Sequence, residues 1–232
     1  MRDIAIAIDG YSSCGKSTVS RDLANALGYA YIDTGAMYRA VTLYCLEKGI
    51  IQEGRAVDAG KVIRELLNIK IEFKYKTELG KSETFLNGKN VEEDIRSMPV
   101  SELVSPVSAI HEVRKVMVYL QRKMADHTAI VMDGRDIGTT VLPNADLKIF
   151  MTADIKVRTQ RRMDELRERG IKVTEQEVQR NLLKRDKEDM MREESPLKQA
   201  ADAVVLDTTN LTREEQLAKV ERWAKEKMIA SN

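Results

Sequence analysis

Short apolar runs recur along this chain and are separated by longer stretches of helical periodicity. The runs Ile4–Asp9, Ala30–Asp33, Ala129–Asp133, Leu147–Met151 and Ala203–Asp207 are too short for helices and too continuous for half-exposed strands, so they predict buried strands. Between most of them the apolar residues recur at helical spacing, as at Val19, Leu23, Ala26 and Leu27. Strands alternating with helices predict an α/β architecture, a five-stranded parallel sheet in a three-layer αβα stack. Right-handed crossovers bring the C-terminal ends of all its strands to one edge. Asp9, Asp33, Asp133 and Asp207 each end a predicted strand, and an aspartate there suits either a site or a turn or cap.

Two segments interrupt the alternation. Lys70–Ile95 carries alternating residues, Lys70 to Tyr75, then Glu83 to Leu86, then Asn87-Gly88, a hairpin signal. It predicts a small antiparallel insert. Asp154–Glu194 predicts charged helix broken at Gly170, with Thr174 to Glu177 restarting it as a capping box. Thr212 to Glu215 opens the last helix in the same way. Neither a repeat nor a Gly-, Pro- or Ser-rich linker divides the chain. The expectation is therefore one domain over 1–232, with a core of 1–33, 101–153 and 195–232, an insert region over 34–100, and a helical lid with its flanks over 154–194.

Composition narrows the function classes. With 232 residues, 43% hydrophobic and 32% charged, a large core needs no staple. A net charge of +1 gives no overall attraction to nucleic acid or membrane, so neither is expected as a partner. Two cysteines, Cys14 and Cys45, offer no disulfide framework and no thiolate zinc site. No apolar run approaches a membrane span of about 20 residues, and Ile4 already begins a strand, so a reduced cytoplasm is the expected setting. The absence of a heptad or a large apolar stripe suggests a monomer.

The chemistry begins at Gly10-Tyr11-Ser12-Ser13-Cys14-Gly15-Lys16-Ser17, which fits the phosphate-binding pattern G-x-x-x-x-G-K-[ST]. A predicted strand precedes it and a helix follows, the context the motif needs. Its glycines allow main-chain N–H groups to converge on one point, and the helix N-terminus adds partial positive charge. Gly10 through Thr18 are therefore the candidate triphosphate site, with Lys16 for the β- and γ-phosphates and the Ser17 hydroxyl for Mg²⁺. Ile130 to Asp133 has the form of a second metal-holding element, Asp133 meeting Mg²⁺ directly or through water. Arg135 and Asp136 follow at once. Arg39, in the first turns of a helix after Asp33, is placed to clamp an anionic acceptor, although a solvated arginine fits the spacing equally well. Arg158, Arg161 and Arg162 share one helix face, as do Arg185, Asp189 and Arg192. Interleaved carboxylates would make these ordinary exposed helices. The bias to arginine over lysine favours an arginine-rich lid that stabilises transferring phosphoryl oxygens and keeps water out. The two histidines, His111 and His127, lie in no motif.

Together, Asp9-Gly10 leading into the loop, Asp33-Thr34-Gly35-Ala36-Met37-Tyr38-Arg39, Asp133 through Thr139 and Leu206-Asp207-Thr208-Thr209 resemble the bacterial cytidylate kinases, in order and over nearly the whole chain. The resemblance implies transfer of the γ-phosphoryl group of ATP to CMP or dCMP with Mg²⁺, in pyrimidine nucleotide metabolism. It implies that Lys70–Ile95 belongs to the nucleoside-monophosphate-binding region and that Asp154–Glu194 is the lid. It assigns acceptor contacts to Thr34, Arg39, Ser105, Arg114, Arg135, Asp136, Arg185, Asp189 and Arg192, with Lys16, Arg135 and a lid arginine at the transferred group. One departure is Tyr11-Ser12-Ser13-Cys14, where the family more often has a Pro-Ser-Gly-Ala run; it bears on loop stiffness and places a thiol in the loop. A different small-molecule kinase, such as one acting on shikimate or an adenylate, is a second reading. A GTPase lacks its N-K-x-D sequence here, and a nucleotide switch without an acceptor does not need so many arginines.

Overall fold

A computed structural model describes residues 2–76, 81–125 and 129–230. By their mutual contacts they form two compact units, Met1–Tyr31 with His127–Asn232, and Ile32–Asp126. Each has its own apolar core.

The first unit is built on strands β1 (Ala5–Gly10), β6 (Ile130–Gly134), β7 (Leu147–Thr152) and β8 (Val204–Asp207), with β2 (Ala30–Asp33) leading out of it. The sheet order is β2-β6-β1-β7-β8. The pairings β1–β6, β1–β7 and β7–β8 are parallel. All five strands fall on the predicted apolar runs to within a residue or two. β1 and β6 are buried nearly throughout because a sheet fed by helical crossovers is covered on both faces. Ile4, Ile6, Ile8, Val131, Leu147 and Ile149 form its centre. Each such side chain contributes roughly 1.5–3 kcal/mol through removal from water.

Two helices, α1 (Lys16–Leu27) and α8 (Arg213–Ala230), pack together and onto this sheet. α1 buries Val19 and Leu23 as expected, but Ala24 rather than Ala26 completes its inner face. α8 starts at the predicted box: the Thr212 N–H donates to Glu215 Oε2 at 2.8 Å and the Glu215 N–H returns to Thr212 Oγ1 at 3.2 Å. Helices α6 (Ile155–Glu168) and α7 (Glu175–Met191) pack on each other. They are separated where expected, with Gly170 at φ +71° after α6 and the Thr174–Glu177 capping box before α7. Met190 and Met191, at the end of α7, are exposed.

The second unit joins α2 (Thr34–Glu47), the short helix α3 (Ala59–Glu65), and helices α4 (Met98–Ser108) and α5 (His111–Met124) around Met37, Val41, Val104, Val107 and Met117. Its antiparallel sheet is β3 (Ile71–Lys76), β4 (Lys81–Leu86) and β5 (Lys89–Asn90). Asn87 and Gly88 join β4 to β5 at φ +49° and +83°, the left-handed pair that a two-residue hairpin requires. The expected partition placed 101–126 with the core. These residues group with the second unit instead, because α4 packs chiefly on α2 and α5. His127 lies outside the described residues.

Candidate active site

The phosphate loop follows β1 so closely that its first residue has no room for a side chain. Gly10 stands at φ +150°, and a Cβ there would lie 2.0 Å from the Met151 carbonyl oxygen of β7. The Tyr11 N–H donates to that same oxygen at 3.3 Å. Gly15 takes φ +97° as the N-cap of α1, so the helix opens from the loop with its free N–H groups facing the same region. Ser13 is the unusual member. It holds φ +56°, the left-handed region that a glycine enters without steric cost. The serine-for-glycine departure noted in the sequence thus falls on the position whose backbone favours glycine. We expect Ser13→Gly to leave the fold intact and to change stability by about 0 to +1 kcal/mol, relief of left-handed strain being partly offset by a freer unfolded chain. Thermal unfolding checks this, and a substantially lower Tm would contradict it. Cys14 is fully buried rather than presented on the loop surface.

Lys16 is buried, with Nζ donating to the Tyr11 carbonyl at 2.5 Å and 3.7 Å from Cys14 Sγ. Burial first, then the neighbouring Arg135 cation, pulls its ammonium pKa below the ordinary value. Ser17 Oγ donates to Asp133 Oδ2 at 3.0 Å, and the Tyr31 hydroxyl donates to Asp133 Oδ1 at 2.8 Å. The two residues expected to meet Mg²⁺ are therefore adjacent. A hydroxyl and a carboxylate suit a hard cation that takes oxygen donors and retains water. No cluster of three or more His, Cys, Asp or Glu side chains with metal-holding geometry occurs among the described residues.

The four strand-ending aspartates have four fates. Asp133 faces Ser17. Asp33 caps α2, accepting the Ala36 N–H at 2.9 Å. Asp207 folds back onto Thr209 at 2.6 Å. Asp9 accepts the N–H groups of Ile137 and Gly138 at 2.7 and 2.8 Å. Burial raises its carboxyl to about 6, against the lowering effect of those two N–H groups. These bonds hold one wide turn, 137–141, in which the Val141 N–H reaches the Asp136 carbonyl at 3.2 Å. Such π-type turns often accompany functional segments. This one follows Arg135-Asp136 directly, and no sequence signal announced it.

The guanidinium groups are grouped around the loop and α7. Arg135 Nε donates to Asp189 Oδ2 at 2.8 Å, and its Nη2 donates to Ser12 Oγ at 2.9 Å. Arg192 meets Asp136 at 3.4 Å and Asp189 at 3.7 Å. Burial pushes the Asp189 carboxyl up, but Arg135, Arg192 and Arg185 together hold it below the usual carboxylate range. Arg185 is buried on the same face, and among the described residues it has no hydrogen-bond or salt-bridge partner. Burial, then repulsion from Arg135, lowers its pKa to about 10. The structure thus brings Arg135, Asp136, Arg185, Asp189 and Arg192 into one cluster; Arg185 and Asp189 share a face of α7, as their spacing suggested, whereas Arg192 caps the end of that helix in extended backbone.

Arg158, Arg161 and Arg162, expected to belong to a lid, are more committed than the sequence implied. Arg158 pairs with Asp186, donates to Ser12 C=O at 3.2 Å and to Ala153 C=O at 3.0 Å, and lies 5.3 Å from the Tyr11 ring centre. Arg161 donates to Cys14 C=O at 3.3 Å and to Thr208 Oγ1 at 2.9 Å. Arg162 pairs with Glu165 at 2.7 Å on its own helix. Sequence reasoning did not single out Asp186, which shares α7 with Arg185 and Asp189.

In the second unit, Thr34 is the buried first residue of α2. Arg39 donates to Ile95 C=O and to Ser101 Oγ, both at 3.1 Å. Ser105 is buried on α4, and Arg114 on α5 is buried 5.5 Å from the centre of the Tyr38 ring.

The family model described as cytidylate kinase matches residues 6–226. The cytidylate kinase of Parabacteroides distasonis is 52% identical, over 94% of this chain and 95% of its own length. That of Bacteroides fragilis is 53% identical over 93% and 94%, and that of Phocaeicola vulgatus is 49% identical over 100% and 99%. A match of this length takes in the phosphate loop, the Asp133–Asp136 element and both arginine-bearing helices at once, and the chain belongs to the cytidylate kinase family.

Proposed function

We propose that this protein transfers the γ-phosphoryl group of ATP to CMP or dCMP, giving CDP or dCDP. The observation that carries the reading is the family match across residues 6–226. The buried Arg185 supports it from geometry, because its Nε has no hydrogen-bond partner among the described residues and a phosphate oxygen would accept from it.

Gly10 through Thr18 cradle the donor phosphates with main-chain N–H groups, and Lys16 exchanges its contact with the Tyr11 carbonyl for the β- and γ-phosphates. Ser17 and Asp133 would hold Mg²⁺, which would supply positive charge that neutralises the phosphates. Arg185, Arg192, Asp189, Asp136 and Arg135 contact the acceptor, the arginines meeting phosphate and the carboxylates accepting from the cytosine amino group or sugar hydroxyls. Thr34, Arg39, Ser105 and Arg114 are assigned acceptor contacts by the same family likeness. Arg158, Arg161 and Arg162 supply positive charge at the transferring group and keep water from it. The acceptor oxygen belongs to an ionised phosphate, so no general base is needed. We take 1–232 to act as one kinase, monomeric and cytoplasmic, with no nucleic-acid or membrane partner. Among the described residues no helix is long and apolar enough to cross a membrane.

An ADP-release assay across nucleoside monophosphates tests the reading. CMP and dCMP are expected to stimulate ATP consumption well beyond AMP, GMP or shikimate. Consumption no faster with CMP than with buffer would reduce the protein to a nucleotide binder.

A further inference from the structure

Asp186 is buried on α7, one turn from Asp189, and its carboxylate oxygens are taken up by the phosphate loop and Arg158 while its charge also acts on Arg135 and Arg185. One carboxylate oxygen, Oδ1, accepts the Ser12 N–H at 3.0 Å. The other, Oδ2, pairs with Arg158 Nη1. Arg158 in turn donates to the Ser12 carbonyl at 3.2 Å, so Ser12 is held by its N–H on the carboxylate and by its C=O on the guanidinium. The stem of the loop is fixed further by Tyr11, whose ring lies beneath the Arg158 guanidinium and meets Phe150 edge-on at 5.7 Å. Ser12 Oγ accepts from Arg135. One carboxylate therefore ties together the phosphate loop, α6 and α7.

We propose that Asp186 is a positioning residue for phosphoryl transfer: it sets the loop backbone at Ser12 and the Arg158 guanidinium in a single register. The proposal rests on the reading of the loop as donor site and of Arg158 as a group near the transferred phosphoryl. Its physical basis is charge-assisted hydrogen bonding in a site closed to water, where a carboxylate fixes both a main-chain donor and a cation more firmly than a neutral group does. Reacting groups must hold their geometry to within about half an ångström, so loosening this joint lowers the rate of transfer more than it weakens acceptor binding.

The test compares Asp186→Asn, Arg158→Gln and the double variant in steady-state assays with ATP and CMP. Rates are normalised to folded enzyme by circular dichroism and by titration with a fluorescent ATP analogue. Asp186→Asn keeps an oxygen for the Ser12 N–H, removes the charge and puts an amide N–H₂ where Arg158 has its acceptor. The expected result is a kcat at least about tenfold lower with KM for CMP within about threefold. The double variant should be no worse than about the poorer single variant, because both changes break one joint. Arg158→Gln leaves Asp186 on the Ser12 N–H and gives a second line should Asp186→Asn fold poorly. A normalised kcat near wild type in either variant, a KM effect larger than the kcat effect, or losses that multiply in the double variant would each overturn the proposal. Wild-type enzyme in the same assay separates the two levels: no CDP from wild type sinks the acceptor reading, whereas normal wild-type turnover beside an unaffected variant sinks the role of Asp186 alone.

Discussion

Lys16→Ala is expected to lower kcat by about 10² to 10³, equivalent to about 3–4 kcal/mol of transition-state stabilisation. The ammonium is the one side-chain cation inside the loop motif itself, and it is buried beside the Tyr11 carbonyl and the Cys14 thiol. Low local polarity makes a charge there worth more than a surface lysine, and burial also explains why its pKa is pulled down. The substitution is a clean one. The hydrogen-bond partners of Lys16 are the Tyr11 carbonyl and the Cys14 thiol, so no hydrogen-bonded carboxylate is stranded by its loss. Thermal unfolding should therefore change little while single-turnover transfer collapses. Transfer within threefold of wild type would remove Lys16 from the role assigned to it.

The second large effect concerns recognition of the acceptor. Asp189→Ala should raise KM for CMP by about 10- to 100-fold and KM for ATP by only a few fold. Asp189 accepts from Arg135 at 2.8 Å and sits 3.7 Å from Arg192, so it orients two guanidinium groups at once. Removing one member of a buried ion pair leaves the other charge uncompensated, at a cost of about 3–5 kcal/mol. Some of that cost falls on the fold, so Tm should drop as well. Asp189→Asn separates the contributions, because it keeps an oxygen facing Arg135 without the charge. Equal rises in both KM values would show that this face of α7 does not read the acceptor.

Most of the first unit could be read from the chain because its signals are local. A strand buried on both faces is a continuous apolar run, and Ile4–Ile8 and Ile130–Met132 say so without reference to anything distant. The Thr174 and Thr212 boxes and the Asn87-Gly88 turn likewise act over three or four residues. The arginine cluster was partly legible, since spacing on α7 fixes which residues share a face. What those residues touch was not. Asp186 and Asp189 carry the same chemistry three residues apart, yet one faces Ser12 and the other Arg135. That choice is made by tertiary packing, which no helical period encodes. The same holds for Asp9 with Ile137 and Gly138, a pairing across more than half the chain. The grouping of 101–126 with the second unit was missed for a related reason: an amphipathic helix announces that it has an inner face, not which core will receive it.

The chain enters the second unit at Ile32 and leaves it at Asp126, so the first unit is interrupted in sequence. During synthesis the residues of the second unit are complete while β1 still lacks both of its neighbours, β6 and β7. The α2, α4 and α5 core can thus form as the ribosome releases it, whereas β1 stays without strand partners until residue 130 has emerged. Pairings this distant in sequence are slow to close, and an apolar strand left waiting is open to misassociation. The order of emergence from the ribosome therefore leaves the unit that carries the phosphate loop the later of the two to complete its sheet.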